Sequence, residues 1–159
     1  MLKRLALAIA LTAFVPAMAS AHGPSRQKVT ETIEINAPAE KVWAVIGKFH
    51  DMSWHPAFTK TEGTASNEPN AMRTLVLGNG AKIEEKLTKY AAGTSYSYEI
   101  TNVDVKGVPV SNYSSTISVA ADGAKSKVEW KGAFYRGYVN NDPPPELSDE
   151  AAVKAITGV

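Results

Sequence analysis

Apolar and polar residues alternate over positions 28–36, where the patterned part of the chain begins. Val29, Ile33 and Ile35 fall on one face and polar residues on the other, which is typical of a half-buried strand. Pro38 then supplies the φ angle favoured in a first helical turn. The apolar residues after it follow a helical spacing and predict an amphipathic helix of about three turns. They are Val42, Val45, Ile46 and Phe49.

Beyond this helix, alternation returns in roughly six further segments that are separated by turn-forming residues. Residues 50–56 are interpreted as a turn or a short second helix, and two strands flank the turn-rich stretch 63–70. Asn79-Gly80 is a hairpin signal between the next two strands. Ser148 can cap a final helix, whose narrow apolar stripe is Ala152, Ala155, Ile156 and Val159. The order predicts an α+β domain with an antiparallel sheet of about seven strands.

The final helix is short for the sheet that it must cover. A strand from 126 to 135 extends about 33 Å, whereas a helix from 149 to 159 rises only about 16 Å. We therefore expect the helix to cover about half of the sheet face. The remaining apolar surface is expected to be a small-molecule cavity, a partner or dimer surface, or a face left bare by the short helix.

Composition changes this picture at the N-terminus. The whole chain has 44% hydrophobic and 21% charged residues, which is ordinary for a single globular domain. Residues 1–21, however, combine a basic start, a short apolar run and small residues at the end. This is the pattern of a secretory signal peptide cleaved after Ala21. We expect a flexible arm over 22–27 and a single domain over 28–159.

Charge and cysteine content exclude several classes of function. Lysine and arginine number 17 against 16 acidic residues, and no basic block follows the predicted signal. The sequence therefore gives no reason to bind nucleic acid or, once the signal is removed, a membrane. The absence of cysteine excludes disulfides, thiol nucleophiles and thiolate metal sites. We expect a free protein of the bacterial periplasm.

Four separated motifs carry a resemblance to a known family. They are Ile33-Glu34-Ile35-Asn36-Ala37-Pro38-Ala39-Glu40-Lys41-Val42-Trp43, Trp54-His55-Pro56, Gly80 followed by Glu85 and Leu87, and Pro109-Val110-Ser111-Asn112-Tyr113. In this order they resemble the START-like (SRPBCC) superfamily of polyketide cyclases, dehydrases and lipid-transport proteins. With the export signal, the sequence is most similar to the MxaD-type periplasmic proteins associated with bacterial methanol oxidation.

The resemblance implies a helix-grip (START/Bet v 1-like) fold, in which a curved antiparallel sheet wraps a C-terminal helix around an apolar cavity. For an MxaD-type protein it also implies assistance to electron transfer between methanol dehydrogenase and its cytochrome c. It assigns no catalytic residue and no cofactor, since the superfamily shares no catalytic set. Two features depart from the family pattern: members usually have a longer C-terminal helix than one ending at Val159, and Lys89-Tyr90-Ala91-Ala92-Gly93 lacks an expected aspartate.

Glu85 is the best polar candidate for a pocket. It shares a strand face with Ile83 and Leu87, so alternation points it inward, where a carboxylate needs a partner such as Arg73 or a tyrosine hydroxyl. Two functional roles are open to it, to orient a polar ligand group or to act as a base with a raised pKa. The sequence favours a structural role instead, as a buried hydrogen bond or ion pair, or a bulge that turns Glu85 outward.

Aromatic side chains complete the candidate pocket, because their rings supply apolar area while hydroxyl and indole groups supply orientation. Trp54-His55-Pro56 is interpreted as shaping the mouth of the cavity. The full set of ligand-pocket candidates is Trp54, His55, Arg73, Glu85, Tyr96, Tyr98, Tyr113, Trp130 and Phe134.

His50, Asp51 and His55 place two imidazoles and a carboxylate within six positions, which suggests a metal site or an acid–base pair. The spacing matches no established metal signature and a third protein ligand is not evident. We therefore expect no metal site, and the sequence indicates no catalytic constellation.

The expected function is a non-enzymatic periplasmic accessory protein that docks to methanol dehydrogenase or its cytochrome c and holds a small apolar ligand. Two alternatives stay open. One is a carrier of lipids or other hydrophobic small molecules. The other is a cyclase- or lyase-like enzyme that uses Glu85, His55 and tyrosines for proton transfer.

Overall fold

The computed structural model describes residues 23–158. The predicted signal peptide over 1–21, His22 of the predicted arm and Val159 of the last apolar stripe lie outside these residues. The elements in chain order are β1 (Gln27–Ile35), α1 (Ala39–Ile46), β2 (Phe58–Gly63), β3 (Met72–Leu77), β4 (Lys82–Ala91), β5 (Ser95–Val103), β6 (Val110–Asp122), β7 (Lys125–Arg136), a 3-10 turn (Pro145–Leu147) and α2 (Asp149–Thr157).

The seven strands form one sheet in the order β1-β7-β6-β5-β4-β3-β2. Every neighbouring pair is antiparallel. The Asn79-Gly80 hairpin joins β3 to β4 as predicted, with Gly80 at φ +83° and the Asn79 side chain accepting from the Ala81 N–H at 2.9 Å. The predicted α+β class with an antiparallel sheet and a C-terminal helix is confirmed.

The core lies between one face of the sheet and the layer formed by α1, residues 47–57 and α2. Apolar side chains from both sides of this interface meet there, and several have no exposed surface. The completely buried ones are Phe49, Met52, Leu87, Val110, Ile117, Phe134 and Ala152.

α1 is shorter than predicted. It has eight residues and ends at Ile46, because the chain turns at Gly47, whose backbone lies against the Trp43 ring so closely that a Cβ would overlap it. Val45, predicted on the apolar stripe, is 53% exposed, whereas Phe49 lies beyond the helix and is completely buried.

Residues 50–56 form turns, so the turn alternative of the sequence interpretation is correct and the short second helix is not. Asp51 N–H donates to the Lys48 carbonyl at 3.0 Å, and His55 N–H donates to the Met52 carbonyl at 2.9 Å. These turns bury Met52 and bring His55 to the sheet.

Three hydrogen bonds hold the N-terminal end of α2. Ser148 Oγ accepts from the Ala151 N–H at 3.1 Å, as predicted for a cap. The Asp149 carboxylate accepts from the Arg136 guanidinium at 3.2 Å and from the Ser25 hydroxyl at 3.1 Å. The start of α2 is therefore attached both to β7 and to the residues before β1. Within residues 23–158, neither helix has the length and apolarity to cross a membrane.

β1 is less buried than predicted. It begins at Gln27, one residue inside the predicted arm, and Ile33, predicted on the buried face, is 60% exposed. The reason is the length of α2, whose nine residues rise only about 13 Å. Its last turn lies beside Glu31, so Ile33 falls beyond the end of the helix.

Candidate functional site

The structure encloses a cavity of about 140 Å³ between the sheet and the last turn of α2. We call it the central cavity. Its walls are mainly apolar and come from every strand except β3. It is lined by Val29, Glu31, Phe58, Ile83, Glu85, Tyr98, Ile100, Val108, Tyr113, Trp130, Gly132, Ile156 and Thr157.

The opening of the central cavity lies between β1 and α2. Glu31 and Thr157 are exposed, and Val29 and Ile156 beside them are half buried. Opposite this rim, Glu85, Tyr98 and Tyr113 are all buried. The cavity therefore has a rim that meets solvent and a closed end that carries polar groups.

A buried ion pair lies at the closed end. Arg73 on β3 stands directly opposite Glu85 on β4 in the strand register. The Arg73 Nε and Nη2 atoms each lie 2.6 Å from Glu85 Oε2, and Nη1 donates to the Phe49 carbonyl at 2.5 Å. Glu85 was predicted to point inward. It does face the interior of the protein, and its partner there is Arg73.

Aromatic rings enclose the guanidinium. Its carbon lies 4.3 Å from the Phe49 ring centroid and 5.0 Å from that of Tyr98, distances at which the ring faces attract a cation. Burial raises the pKa of the Glu85 carboxyl, and the adjacent Arg73 guanidinium opposes this rise. Because arginine stays protonated at every pH at which proteins fold, the contact favours the carboxylate form.

Trp130 organises the polar groups next to this pair. Its Nε1 lies 3.0 Å from the Tyr98 hydroxyl oxygen and 2.7 Å from Ser115 Oγ, and it donates to both. Ser115 in turn donates to the Lys131 carbonyl at 2.7 Å. Burial raises the pKa of Tyr98 well above its usual value and also raises that of Tyr113. Both hydroxyls therefore keep their protons at neutral pH.

His55 packs behind Trp130 and not in the central cavity. Its ring centroid lies 5.4 Å from those of Trp54 and Trp130 and 5.1 Å from that of Phe58. Its Nδ1 accepts from the Ala57 N–H at 3.3 Å. Burial lowers the pKa of His55, and the Nδ1 contact also requires an unprotonated nitrogen, so the imidazole is neutral.

Four of the nine candidate residues line the central cavity: Glu85, Tyr98, Tyr113 and Trp130. The other five support these four from outside it. Arg73 binds Glu85, and Phe134 stacks on Tyr113 with ring centroids 5.9 Å apart. The remaining three, which pack beside lining aromatic residues, are Trp54, His55 and Tyr96.

The sequence analysis missed most of the apolar lining. Ile83 and Ile100 share strand faces with Glu85 and Tyr98, so the alternation already contained the signal for both. The sequence held no such signal for Gly132. Its lack of a side chain leaves space in the wall, where a Cβ would lie 3.2 Å from the Tyr113 hydroxyl.

The histidines and Asp51 do not gather around a common point. Asp51 accepts from the Ser53 N–H at 3.0 Å, and this bond lowers its pKa, while His55 faces Trp130. Among residues 23–158, no three histidine, aspartate or glutamate side chains are arranged to hold a metal ion.

Comparison with known families gives a match over residues 26–159. The matching family is described as polyketide cyclase / dehydrase and lipid transport. Among proteins of curated function, no sequence matches the chain.

Solved structures share the architecture. An uncharacterized protein from Bacillus thuringiensis is 31% identical, with a TM-score of 0.68, over 83% of this chain and 89% of its own. The protein XoxI from Bacillus cereus is 32% identical, with a TM-score of 0.68, over 83% of this chain and 86% of its own. Norcoclaurine synthase from Thalictrum flavum is 16% identical, with a TM-score of 0.60, over 99% of this chain and 88% of its own. This last similarity concerns the fold alone, and it confirms the helix-grip architecture.

Replacing Arg73 with methionine should lower the free energy of unfolding by about 3–5 kcal/mol, because the Glu85 carboxylate loses its partner inside the protein. The double variant Arg73→Met/Glu85→Leu should recover most of this loss, since neither charge remains. Urea unfolding followed by tryptophan fluorescence measures both values.

The matched control is the Lys86–Glu99 pair, which lies 2.7 Å apart with side chains 33% and 43% exposed. Lys86→Met should change stability by less than about 1 kcal/mol. Equal losses for Lys86→Met and Arg73→Met would contradict this description of the buried pair.

The neutral His55 makes stability depend on pH. Its pKa is lower in the folded protein than its ordinary value of 6.5, so the unfolded chain binds more protons just below that pH. Its contribution to stability is present above about pH 6.5 and is lost as the pH falls through the folded pKa. Urea midpoints at pH 7.5 and 5.5 should therefore differ more for the wild type than for His55→Asn. Equal differences would exclude this role of His55.

Proposed function

Because the chain belongs to the polyketide cyclase / dehydrase and lipid transport family, we propose that it binds a small, mainly apolar molecule in the central cavity. The observation that carries this proposal is the cavity itself, about 140 Å³ in volume. Apolar cavities of about 150 Å³ admit a molecule the size of benzene. Burial of one aromatic ring against these walls would supply the binding energy.

Binding is favoured over catalysis by the contacts of the groups that could move a proton. The Glu85 carboxylate is held by Arg73, and such a contact reduces its strength as a base. His55, the other candidate base, lies outside the cavity lining and accepts a backbone hydrogen bond. A cyclase- or lyase-like activity would need one of these groups to leave its present partner.

Access to the central cavity follows from how α2 is attached. Its N-terminal end is fixed through Ser148 and Asp149, whereas its last turn forms part of the cavity rim through Ile156 and Thr157. Displacement of this last turn would open the cavity without disturbing the sheet. A ligand would therefore enter between the end of α2 and β1.

Filling the cavity should weaken binding. Ile156→Trp places a larger ring at the rim, and we expect binding of benzene-sized molecules to fall at least about tenfold, a change of about 1.4 kcal/mol. Titrations followed by NMR chemical shifts of the Trp130 indole N–H measure the affinity. Val139→Trp is the matched control, since Val139 is 65% exposed and lies outside the cavity lining. Unchanged affinity in folded Ile156→Trp would place the binding site elsewhere.

Two further features are proposed on the strength of the sequence resemblance. The first is export to the periplasm with cleavage after Ala21. The second is an accessory role, in which the protein docks to methanol dehydrogenase or its cytochrome c and assists electron transfer between them.

The accessory role predicts co-purification or cross-linking of the protein with methanol dehydrogenase or the cytochrome. Adding the protein should raise the cytochrome-linked rate of methanol oxidation, while the dye-linked rate, which bypasses the cytochrome, serves as the control. No detectable contact, with both rates unchanged, would overturn the accessory role and leave the ligand-binding proposal intact.

A further inference from the structure

Glu85 keeps one carboxylate oxygen free at the closed end of the central cavity. Both contacts with Arg73 fall on Oε2, and among residues 23–158 the structure gives Oε1 no hydrogen bond. Oε1 is also not one of the side-chain atoms that are completely enclosed by protein and lack a hydrogen-bond partner. Buried polar atoms are nearly always hydrogen-bonded to protein or to ordered water. Oε1 is therefore an acceptor available to a molecule in the cavity.

The Tyr113 hydroxyl is a second such group in the same cavity. The polar groups of Tyr98, Ser115 and Trp130 lie within hydrogen-bond reach of its oxygen and act on it as donors. Within residues 23–158, no protein acceptor takes the hydrogen of the Tyr113 hydroxyl. Burial keeps this hydroxyl protonated, so it can donate. The closed end thus offers one acceptor and one donor within otherwise apolar walls.

The charges around the cavity select among ligand groups. The charged side chains that line it are Glu31 and Glu85. Glu31 would repel a carboxylate ligand at the rim, and at the closed end Arg73 is already paired with Glu85, so a carboxylate would find no free cation there. An ammonium group would add a second cation beside the buried guanidinium of Arg73, which already balances the charge of Glu85. Desolvating that extra charge is costly. A neutral group avoids both the unfavourable placement of a carboxylate and the desolvation cost of an ammonium group. A hydroxyl is the simplest neutral group that both donates and accepts a hydrogen bond.

We propose that the ligand of the central cavity is a small neutral hydroxyl compound of the phenol class, whose O–H donates to Glu85 Oε1 and accepts from the Tyr113 hydroxyl. This inference rests on the proposed ligand-binding function and specifies the chemistry of its ligand. A volume of about 140 Å³ accommodates one six-membered ring with a small substituent, by comparison with benzene in about 150 Å³.

The test compares phenol with toluene, which has nearly the same shape but a methyl group in place of the hydroxyl. Binding to the purified protein at pH 7 is measured by NMR titration. If only apolar burial acted, toluene would bind more tightly, because phenol loses more hydration. A hydrogen bond to a charged acceptor reverses this order, and we expect phenol to bind about tenfold more tightly than toluene. Benzoate and benzylamine should bind more weakly than phenol.

Tyr113→Phe removes the donor and leaves the Arg73–Glu85 pair untouched. We expect it to weaken phenol binding roughly fivefold and to change toluene binding by less than about twofold. Tyr90→Phe is the matched control, because Tyr90 is a half-buried tyrosine that lies outside the cavity lining and whose hydroxyl donates to the Gly47 carbonyl at 2.9 Å. It should leave both affinities unchanged.

The outcomes separate the two proposals. Toluene binding as tightly as phenol, or benzoate or benzylamine binding more tightly than phenol, would overturn the phenol assignment and leave the cavity as a binding site. Equal phenol affinity in Tyr113→Phe and the wild type would remove Tyr113 from the site and overturn the assignment as stated. Failure of both phenol and toluene to bind at millimolar concentration would overturn the proposed function itself.

Discussion

The buried contact between Arg73 and Glu85 is the interaction on which the rest of the structure depends. It joins neighbouring strands β3 and β4 across the buried face of the sheet, and through the Phe49 carbonyl it also holds the chain that follows α1. An apolar pair at these positions would pack equally well but would not fix the position of that chain. The same contact leaves the second oxygen of Glu85 facing the cavity, so one ion pair both orders the core and sets the chemistry of the site.

The size of the cavity follows from three independent features of the chain. α2 is short and covers only part of the sheet, so its last turn and β1 form a rim. Gly132 withholds a side chain from the wall next to Tyr113. Trp130 is held by Tyr98 and Ser115 and is backed by the ring of His55, so it cannot easily rotate into the empty space. The cavity is thus bounded by groups whose positions are fixed by hydrogen bonds and packing.

The sequence predicted the fold well because a half-buried antiparallel sheet repeats the same signal in every strand. The inward position of Glu85 illustrates this. The pairing of β4 with β5 does shift register between Glu84 and Glu85, as the bulge alternative anticipated, but the direct pairing with Arg73 on the other side keeps the carboxylate inside. Alternation likewise puts Tyr98 on one face of its strand with Ile100, and Tyr113 on one face of its strand with Ile117, and both tyrosines are buried.

The sequence was less informative where no periodicity exists. Trp54 and His55 lie in turns, and only the three-dimensional path of residues 50–56 brings them behind Trp130 instead of to the cavity mouth. Ile33 was misplaced because strand alternation says which face a residue occupies but not whether another element covers that face. The end of α1 depended on a backbone-to-ring contact between Gly47 and Trp43, which helical spacing cannot reveal.

The one-sided attachment of α2 has a kinetic consequence. Opening a helix end locally requires much less free energy than unfolding the whole domain. In α2, the end that closes the cavity is the one without the Ser148 and Asp149 contacts. Exchange of a bound molecule with solvent would therefore follow the fraying of a single helical turn. Substitutions in that turn would then change the residence time of a bound molecule, while the sheet and the Arg73–Glu85 ion pair keep their stability.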